Sequence, residues 1–343
     1  MRPSAAPVRA LAKLAAGCAV LALFAALSHA SSASFTPGTP GTPGAPGQTF
    51  RSGVNLVILP VTVTNTDGRF VGALTQRDFS VFEDDHQRPI EQFSAERVPV
   101  SLGILIDISG SMLGARFADA RIALGKLLDR LQSDDRVFLA VFNDSFRMVL
   151  PWTNDHGAVT DALTRVVPRG GTSLYSALTT ALPVLNAGPN QKKALVLISD
   201  GADNSMPGGI VNRQGLESAV QRALESDALI YAVGIGKPMP PIDEFLRQDA
   251  AARLQMAYDP PVDLELLQQL TDPTGGYSQL VASSANLSST VIQIADDLSA
   301  QYVIGFESAQ PLDGKSHTLK VTVANPGLRV RSRREYVAAP MSR

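Results

Sequence analysis

Cysteine is almost missing: the 343 residues contain one, Cys18, inside an N-terminal apolar stretch. Beyond residue 30 there is none, which excludes disulfides, thiol nucleophiles and cysteine-held metals from that region. Histidine is nearly as scarce, with His86, His156 and His317 remaining after residue 30. The pattern puts them in a turn, at a helix start and in a strand, where solvated surface side chains account for all three and no serine nucleophile finds its base. A glycine-rich nucleotide signature after the first buried strand is also absent. So is any excess of positive charge: after residue 30, 27 Lys+Arg stand against 32 Asp+Glu, a net −5. Bulk nucleic-acid binding does not fit that balance.

What is present begins with a 45% apolar content, enough for one large or two modest cores. Residues 1–30 have a basic start (Arg2, Arg9, Lys13), an apolar centre from Leu14 to Leu27, and small residues Ser28 and Ala30 at the minus-three and minus-one places of a cleavage site. This predicts a secretory signal peptide and hence an exported protein, in the periplasm, the cell envelope or the medium. The apolar centre is short for a membrane-spanning helix, so no transmembrane segment is expected in the mature chain. Residues 31–53 repeat x-Pro-Gly, as in Thr36-Pro37-Gly38, for too few triplets to make a triple helix, and read as a proline-stiffened linker.

From residue 54 to 98 the pattern is that of strands: Val57, Leu59, Val61 and Val63 alternate with other residues, and Phe79 to Glu83 and Ile90 to Phe93 flank a turn at Asp84 to Gln87. Residues 301–337 look the same, with Gln301 to Phe306, Thr318 to Val323 and Leu328 to Tyr336; residues 338–343 form a tail. Either set alone would expose a sheet face and its edges, so the two are expected to pair into one small antiparallel β-sandwich-like module. Residues 99–300 between them alternate strand and helix, which predicts an α/β, doubly wound, mostly parallel sheet inserted in that module. Within it, Phe146 to Leu150 reads as an antiparallel edge, and the helix at Ser173 to Leu185 is expected to end or bend at Pro183. Phe245 to Met256 reads as a helical insertion. Arg329, Arg331 and Arg333 read as a solvated strand edge that discourages strand addition.

The apolar run Val100 to Ile106 ends in Asp107-Ile108-Ser109-Gly110-Ser111. Ligands of open α/β sheets bind beyond the carboxyl ends of such strands, and oxygens at positions 107, 109 and 111 share one side of a turn that Gly110 permits. Taken alone, the pattern is better explained by Ser109 and Ser111 capping the next helix. Two further loops change the weighing: Gly170-Gly171-Thr172-Ser173, and Ser199-Asp200-Gly201 at the end of the buried strand Leu195 to Ile198. All five groups, on Asp107, Ser109, Ser111, Thr172 and Asp200, offer oxygen, which hard cations prefer. Asp203 and Asn204 read as turn residues or hydrogen-bonders that orient Asp200.

Together these residues resemble the metal-ion-dependent adhesion site of the von Willebrand factor A (VWA) family, over residues 99 to 300. The flanks, through Asp67-Gly68, Asp78-Phe79, Glu83-Asp84 and Tyr302 to Phe306, are similar to exported bacterial "VWFA-related" proteins. The resemblance implies that Ser109, Ser111 and Thr172 bind Mg²⁺ (Mn²⁺ or Ca²⁺ substituting) through hydroxyls, with Asp107 and Asp200 acting largely through water. It also implies that a protein partner presents an Asp or Glu to the open coordination position. The expected function is metal-dependent protein binding, in adhesion or scaffolding, without catalysis. The alternative is a metal-assisted hydrolase on the same cation, which would need an acid/base side chain near Asp107; the position used for one in phosphoryl-transfer hydrolases is here Ser109. Met112-Leu113, Ser173 to Tyr175 and Asp203 to Met206 are expected to set partner specificity.

Overall fold

The computed structural model describes residues 55–200, 203, 212–240, 247 and 261–338. The expectations for residues 1–53, for most of the helical insertion at 245–256, for Asn204 and for the tail from 339 onward lie outside these residues.

Continuous apolar runs build a six-stranded central sheet: β5 (Val100–Asp107), β6 (Arg136–Phe142), β7 (Phe146–Thr153), β8 (Lys192–Ser199), β9 (Ala228–Ile235) and β10 (Ser278–Val281). Their spatial order is β10-β9-β8-β5-β6-β7, parallel except for the β6–β7 edge hairpin. Every residue of β5, β9 and most of β8 is buried, as expected of strands covered on both faces. On one face Ile104, Ile106, Val196 and Ile198 pack against α1 (Ala115–Leu128), α2 (His156–Thr164) and α6 (Ser284–Ser299). On the other, Leu105, Phe138, Leu195 and Leu197 pack against α3 (Leu174–Asn186), α4 (Arg213–Glu225) and α5 (Leu264–Thr271). Burying each of these Leu or Ile side chains stabilises by roughly 2 kcal/mol. Gly103 interrupts β5 for a steric reason: a Cβ there would run into the Phe138 ring and a Leu195 methyl. The helix α3 does not end at Pro183 but runs on to Asn186, the proline falling in its last turn.

The chain leaves β5 toward β6 on one side and later reaches β8 on the other, so the strand order reverses between β5 and β8. A crevice beyond the carboxyl ends of these two strands follows from that topology.

The flanking segments make two four-stranded antiparallel sheets, and each contains strands from both ends of the described chain. One has the order β13-β1-β11-β4 and the other β14-β12-β2-β3. Here β1 is Leu56–Thr64, β2 Phe79–Glu83, β3 His86–Arg88, β4 Gln92–Ser94, β11 Tyr302–Glu307, β12 Ser316–Val323, β13 Arg329–Ser332 and β14 Glu335–Val337. Leu59 pairs with Ile304, Val61 with Tyr302, and Val81 with Val321. These residues share one core with Val63, Phe79, Phe306 and Tyr336.

Three details differ from the pattern. The partner of β2 across its turn is β3, not residues 90–93: Asp84 and Asp85 both take positive φ (47° and 62°), a two-residue turn that returns the chain at once. Residues 92–94 join β11 in the other sheet instead. Leu328 to Tyr336 is likewise two strands in different sheets. Arg329 is exposed, but Arg331 and Arg333 are not a solvated edge. Arg331 is ion-paired to Asp297 of α6 and lies 4.6 Å over the Tyr277 ring. Arg333, 5% exposed, donates to the carbonyls of Leu224 and Glu335 and to Asp227 Oδ1. These two arginines fasten the β-sandwich to the α/β domain.

Candidate metal centre

Asp107 ends β5 at the crevice and is fully buried. Its Oδ1 accepts the Ser109 amide at 2.7 Å, a bond that turns the chain, and its Oδ2 accepts the Ser199 hydroxyl at 2.6 Å from the end of β8. Ser109 Oγ lies 3.1 Å from Ser111 Oγ, and Ser111 Oγ donates to Asp200 Oδ1 at 2.9 Å. Four of the five residues chosen from the sequence are thus joined in one hydrogen-bonded chain across two strand ends. The loop that carries Thr172 is tied to the Asp107–Ser111 turn: the Gly110 amide donates to the Gly170 carbonyl at 2.9 Å and the Arg169 amide to the Ile108 carbonyl at 2.7 Å. The Thr172 side chain is 3% exposed. Gly170 has φ +84°, and a Cβ there would collide with Asp144, so the turn requires glycine. Asn143 and Asp144, after β6, hold this loop from below: Asn143 donates to the Arg169 carbonyl and Asp144 Oδ1 accepts the Gly171 amide, both at 2.9 Å.

Burial pushes the Asp107 carboxyl up to about 6, and the nearby Asp200 carboxylate adds to that, while the hydroxyls of Ser199 and Ser109 oppose it. Asp200 is raised too, chiefly by burial, with Ser111 and Arg116 pulling it back. Two desolvated carboxylates in one crevice disfavour each other's ionised form, and a cation between the loops relieves both costs at once. The donor set is oxygen throughout, with two carboxylates and neutral hydroxyls; among the described residues no three His, Cys, Asp or Glu side chains cluster as a metal site, here or elsewhere. The residues present therefore fit a hard cation held in part by neutral hydroxyls.

Sequence reasoning passes over two contributors: Ser199, which it takes only as part of a strand end, and Arg116, which it does not single out although its Nη1 lies 2.6 Å from Asp200 Oδ2. Asp203 orients a different element from the one expected: its Oδ2 accepts the Tyr175 amide at 3.0 Å in the first turn of α3. The surface assigned to specificity also changes. Met112, Leu174 and Tyr175 are core residues, at most 2% exposed, because each packs under the sheet ends. Leu113 is 65% exposed and Val167 66%, and both flank the site loops. Among the described residues the groups bonded around Asp107 are hydroxyls, amides, a carboxylate and a guanidinium. His86 and His317 lie in the β-sandwich, where both contact Asp84.

Fold and crevice together define an α/β domain that presents an oxygen-lined site at the reversal of its strand order. Residues 102–202 match the family model of the von Willebrand factor type A domain. Residues of the chain are 29% identical over 158 positions to inter-alpha-trypsin inhibitor heavy chain H2 of Sus scrofa, covering 42% of this chain and 16% of that one. The Mus musculus heavy chain H2 is 24% identical over 217 positions, covering 59% and 20%. The matched part thus spans at most about a fifth of the length of these curated relatives. Among solved structures, a von Willebrand factor type A protein from Catenulispora acidiphila aligns with a TM-score of 0.48 and 15% identity, over 84% of this chain and 74% of that one.

Proposed function

We propose that the chain is an exported, metal-dependent protein-binding module in which Mg²⁺ at Asp107, Ser109, Ser111, Thr172 and Asp200 captures a partner's Asp or Glu. The observation that supports this reading most is the hydrogen-bonded chain of Asp107, Ser109, Ser111 and Asp200 at the sheet's switch point, with the loop of the buried Thr172 tied to the Asp107–Ser111 turn through Gly110 and Ile108. Hydroxyl ligands leave the cation's charge largely uncompensated, so an incoming carboxylate is attracted to it. The exposed Leu113 and Val167 beside the loops supply apolar contact area around such a capture. The signal-peptide pattern of residues 1–30 supports export, and among the described residues no helix is long and apolar enough to cross a membrane. A metal-assisted hydrolase is less well supported, since no described histidine or third carboxylate is bonded at Asp107.

Calorimetric titration of metal-free protein with Mg²⁺ is expected to show one site, which Asp107→Ala abolishes. Capture of a binding partner from envelope extract is expected to need Mg²⁺ and to fail in EDTA. No uptake of Mg²⁺ at millimolar concentration, or capture that survives both EDTA and Asp107→Ala, would overturn the reading.

A further inference from the structure

Arg116 stands at the second position of α1, directly after the loop that carries Ser109 and Ser111. Its Nη1 lies 2.6 Å from Asp200 Oδ2 and donates to the Ser111 carbonyl at 3.3 Å. Asp200 itself is fully buried, and its other oxygen accepts from Ser111 Oγ. Both carboxylate oxygens are therefore engaged, one of them by a full positive charge. A buried carboxylate without a counter-charge is costly, and in this arrangement the guanidinium supplies it.

We infer that Arg116 is a resident counter-cation that competes with the divalent ion for Asp200 and so keeps the metal exchangeable; this rests on the metal-site reading above. Mg²⁺ bound near Asp200 and a guanidinium 2.6 Å from the same carboxylate are like charges in a poorly solvated crevice. Either the arginine moves or the metal binds against its repulsion, and both outcomes lower the metal's affinity. The side chain has room to move: it is 22% exposed and borders a cavity of about 330 Å³. Asp119, one helical turn on, lines the same cavity and offers a second carboxylate at i+3. The opposite assignment, in which Arg116 merely holds Asp200 in place for the metal, predicts the opposite sign when the arginine is removed.

The test is Mg²⁺ titration by calorimetry on the full chain, with Mn²⁺ binding by electron paramagnetic resonance as a second probe, for wild type, Arg116→Gln and Arg116→Lys. Arg116→Gln is expected to bind Mg²⁺ roughly tenfold tighter, the equivalent of one screened repulsion. Arg116→Lys, which keeps the charge, is expected to stay within about threefold of wild type. The rise in melting temperature between metal-free and Mg²⁺-saturated protein is expected to be larger in Arg116→Gln, because only the metal-free form loses its counter-charge. Unchanged or weaker binding by Arg116→Gln, with wild type binding normally, would overturn the competition. Wild type that takes up no Mg²⁺ would instead remove the metal site, and the competition with it.

Discussion

Ser199 and Asp107 end adjacent parallel strands, and the serine hydroxyl donates to Asp107 Oδ2 at 2.6 Å with both residues buried. A carboxylate held so far from water depends on each donor it has. Ser199→Ala is expected to lower the stability of metal-free protein by roughly 1–2 kcal/mol in urea unfolding, since the buried acceptor then lacks a partner. The sheet would remain, because the substitution removes no apolar contact. Equal unfolding midpoints would show that the hydroxyl contributes nothing.

Lys192 begins β8, is 5% exposed, and donates to the Leu298 carbonyl at the end of α6. Burial lowers its pKa from 10.5 to about 7; Asp135 and Asp297 oppose the shift and Arg97 reinforces it. The sign follows from proton counts. Between about 7 and 10.5 the unfolded chain carries this proton and the folded chain does not, so the unfolded state binds more protons and stability rises with pH across that window. Below about 7 both states are protonated and the full penalty is present. Wild type is expected to gain relative to Lys192→Met as pH rises from 7 to 10, by up to about 1.4 kcal/mol per pH unit at the steepest. Parallel stability curves for the two proteins would refute it.

Arg333 is tied mainly to carbonyls, those of Leu224 and Glu335, while its carboxylate partner Asp227 is 81% exposed. The two ends of this ion pair should therefore differ greatly in their effect. Arg333→Ala is expected to cost about 2–3 kcal/mol, through two orphaned carbonyls and the lost packing of the arginine stem. Asp227→Ala is expected to cost less than about 0.5 kcal/mol, as for other exposed partners. Similar losses for both variants in thermal or urea unfolding would show that the ion pair, not the carbonyl contacts, joins the sandwich to the α/β domain.

The central sheet was legible because strands buried on both faces print as unbroken apolar runs, and the crevice because Asp107-Ile108-Ser109-Gly110-Ser111 abuts one of them. The short strands were not. His86–Arg88, Gln92–Ser94 and Glu335–Val337 have three residues each, too few to display a period, and their sheet is chosen by the tight turn at Asp84-Asp85 and the break at Arg333. Arg331 and Arg333 looked solvated because they lie on the strand face away from the sandwich core, and strand periodicity does not show that Tyr277, Leu224 and Asp297 of the α/β domain cover that face. Met112, Leu174 and Tyr175 stood near the site in sequence but point beneath it, since loop residues at strand ends still close the core. Ser199 and Arg116 carried no sequence signal, because a serine ending a strand and an arginine opening a helix are ordinary in both places.

Asp203 joins the third loop to the second. Ser173 occupies the cap position of α3 without a side-chain bond to the helix, and Asp203 Oδ2 accepts the Tyr175 amide in its place, at 3.0 Å. That amide is one of the unpaired donors every helix start presents, and a carboxylate there also favours the positive end of the helix dipole. Because Thr172 lies three residues before Tyr175, fixing the start of α3 also fixes the loop that carries the threonine. Asp203→Ala is expected to cost about 1 kcal/mol as a lost cap and to weaken Mg²⁺ binding roughly tenfold, as the loss of a ligand-orienting group does elsewhere. Asp203→Asn keeps an oxygen acceptor at the same reach and is expected to restore most of both. Calorimetric titration of the two variants separates the cases: unchanged Mg²⁺ affinity in Asp203→Ala would mean that Thr172 is positioned by its glycine turn alone, and a tenfold loss that asparagine does not rescue would mean that the charge of Asp203, rather than its bond to Tyr175, serves the metal.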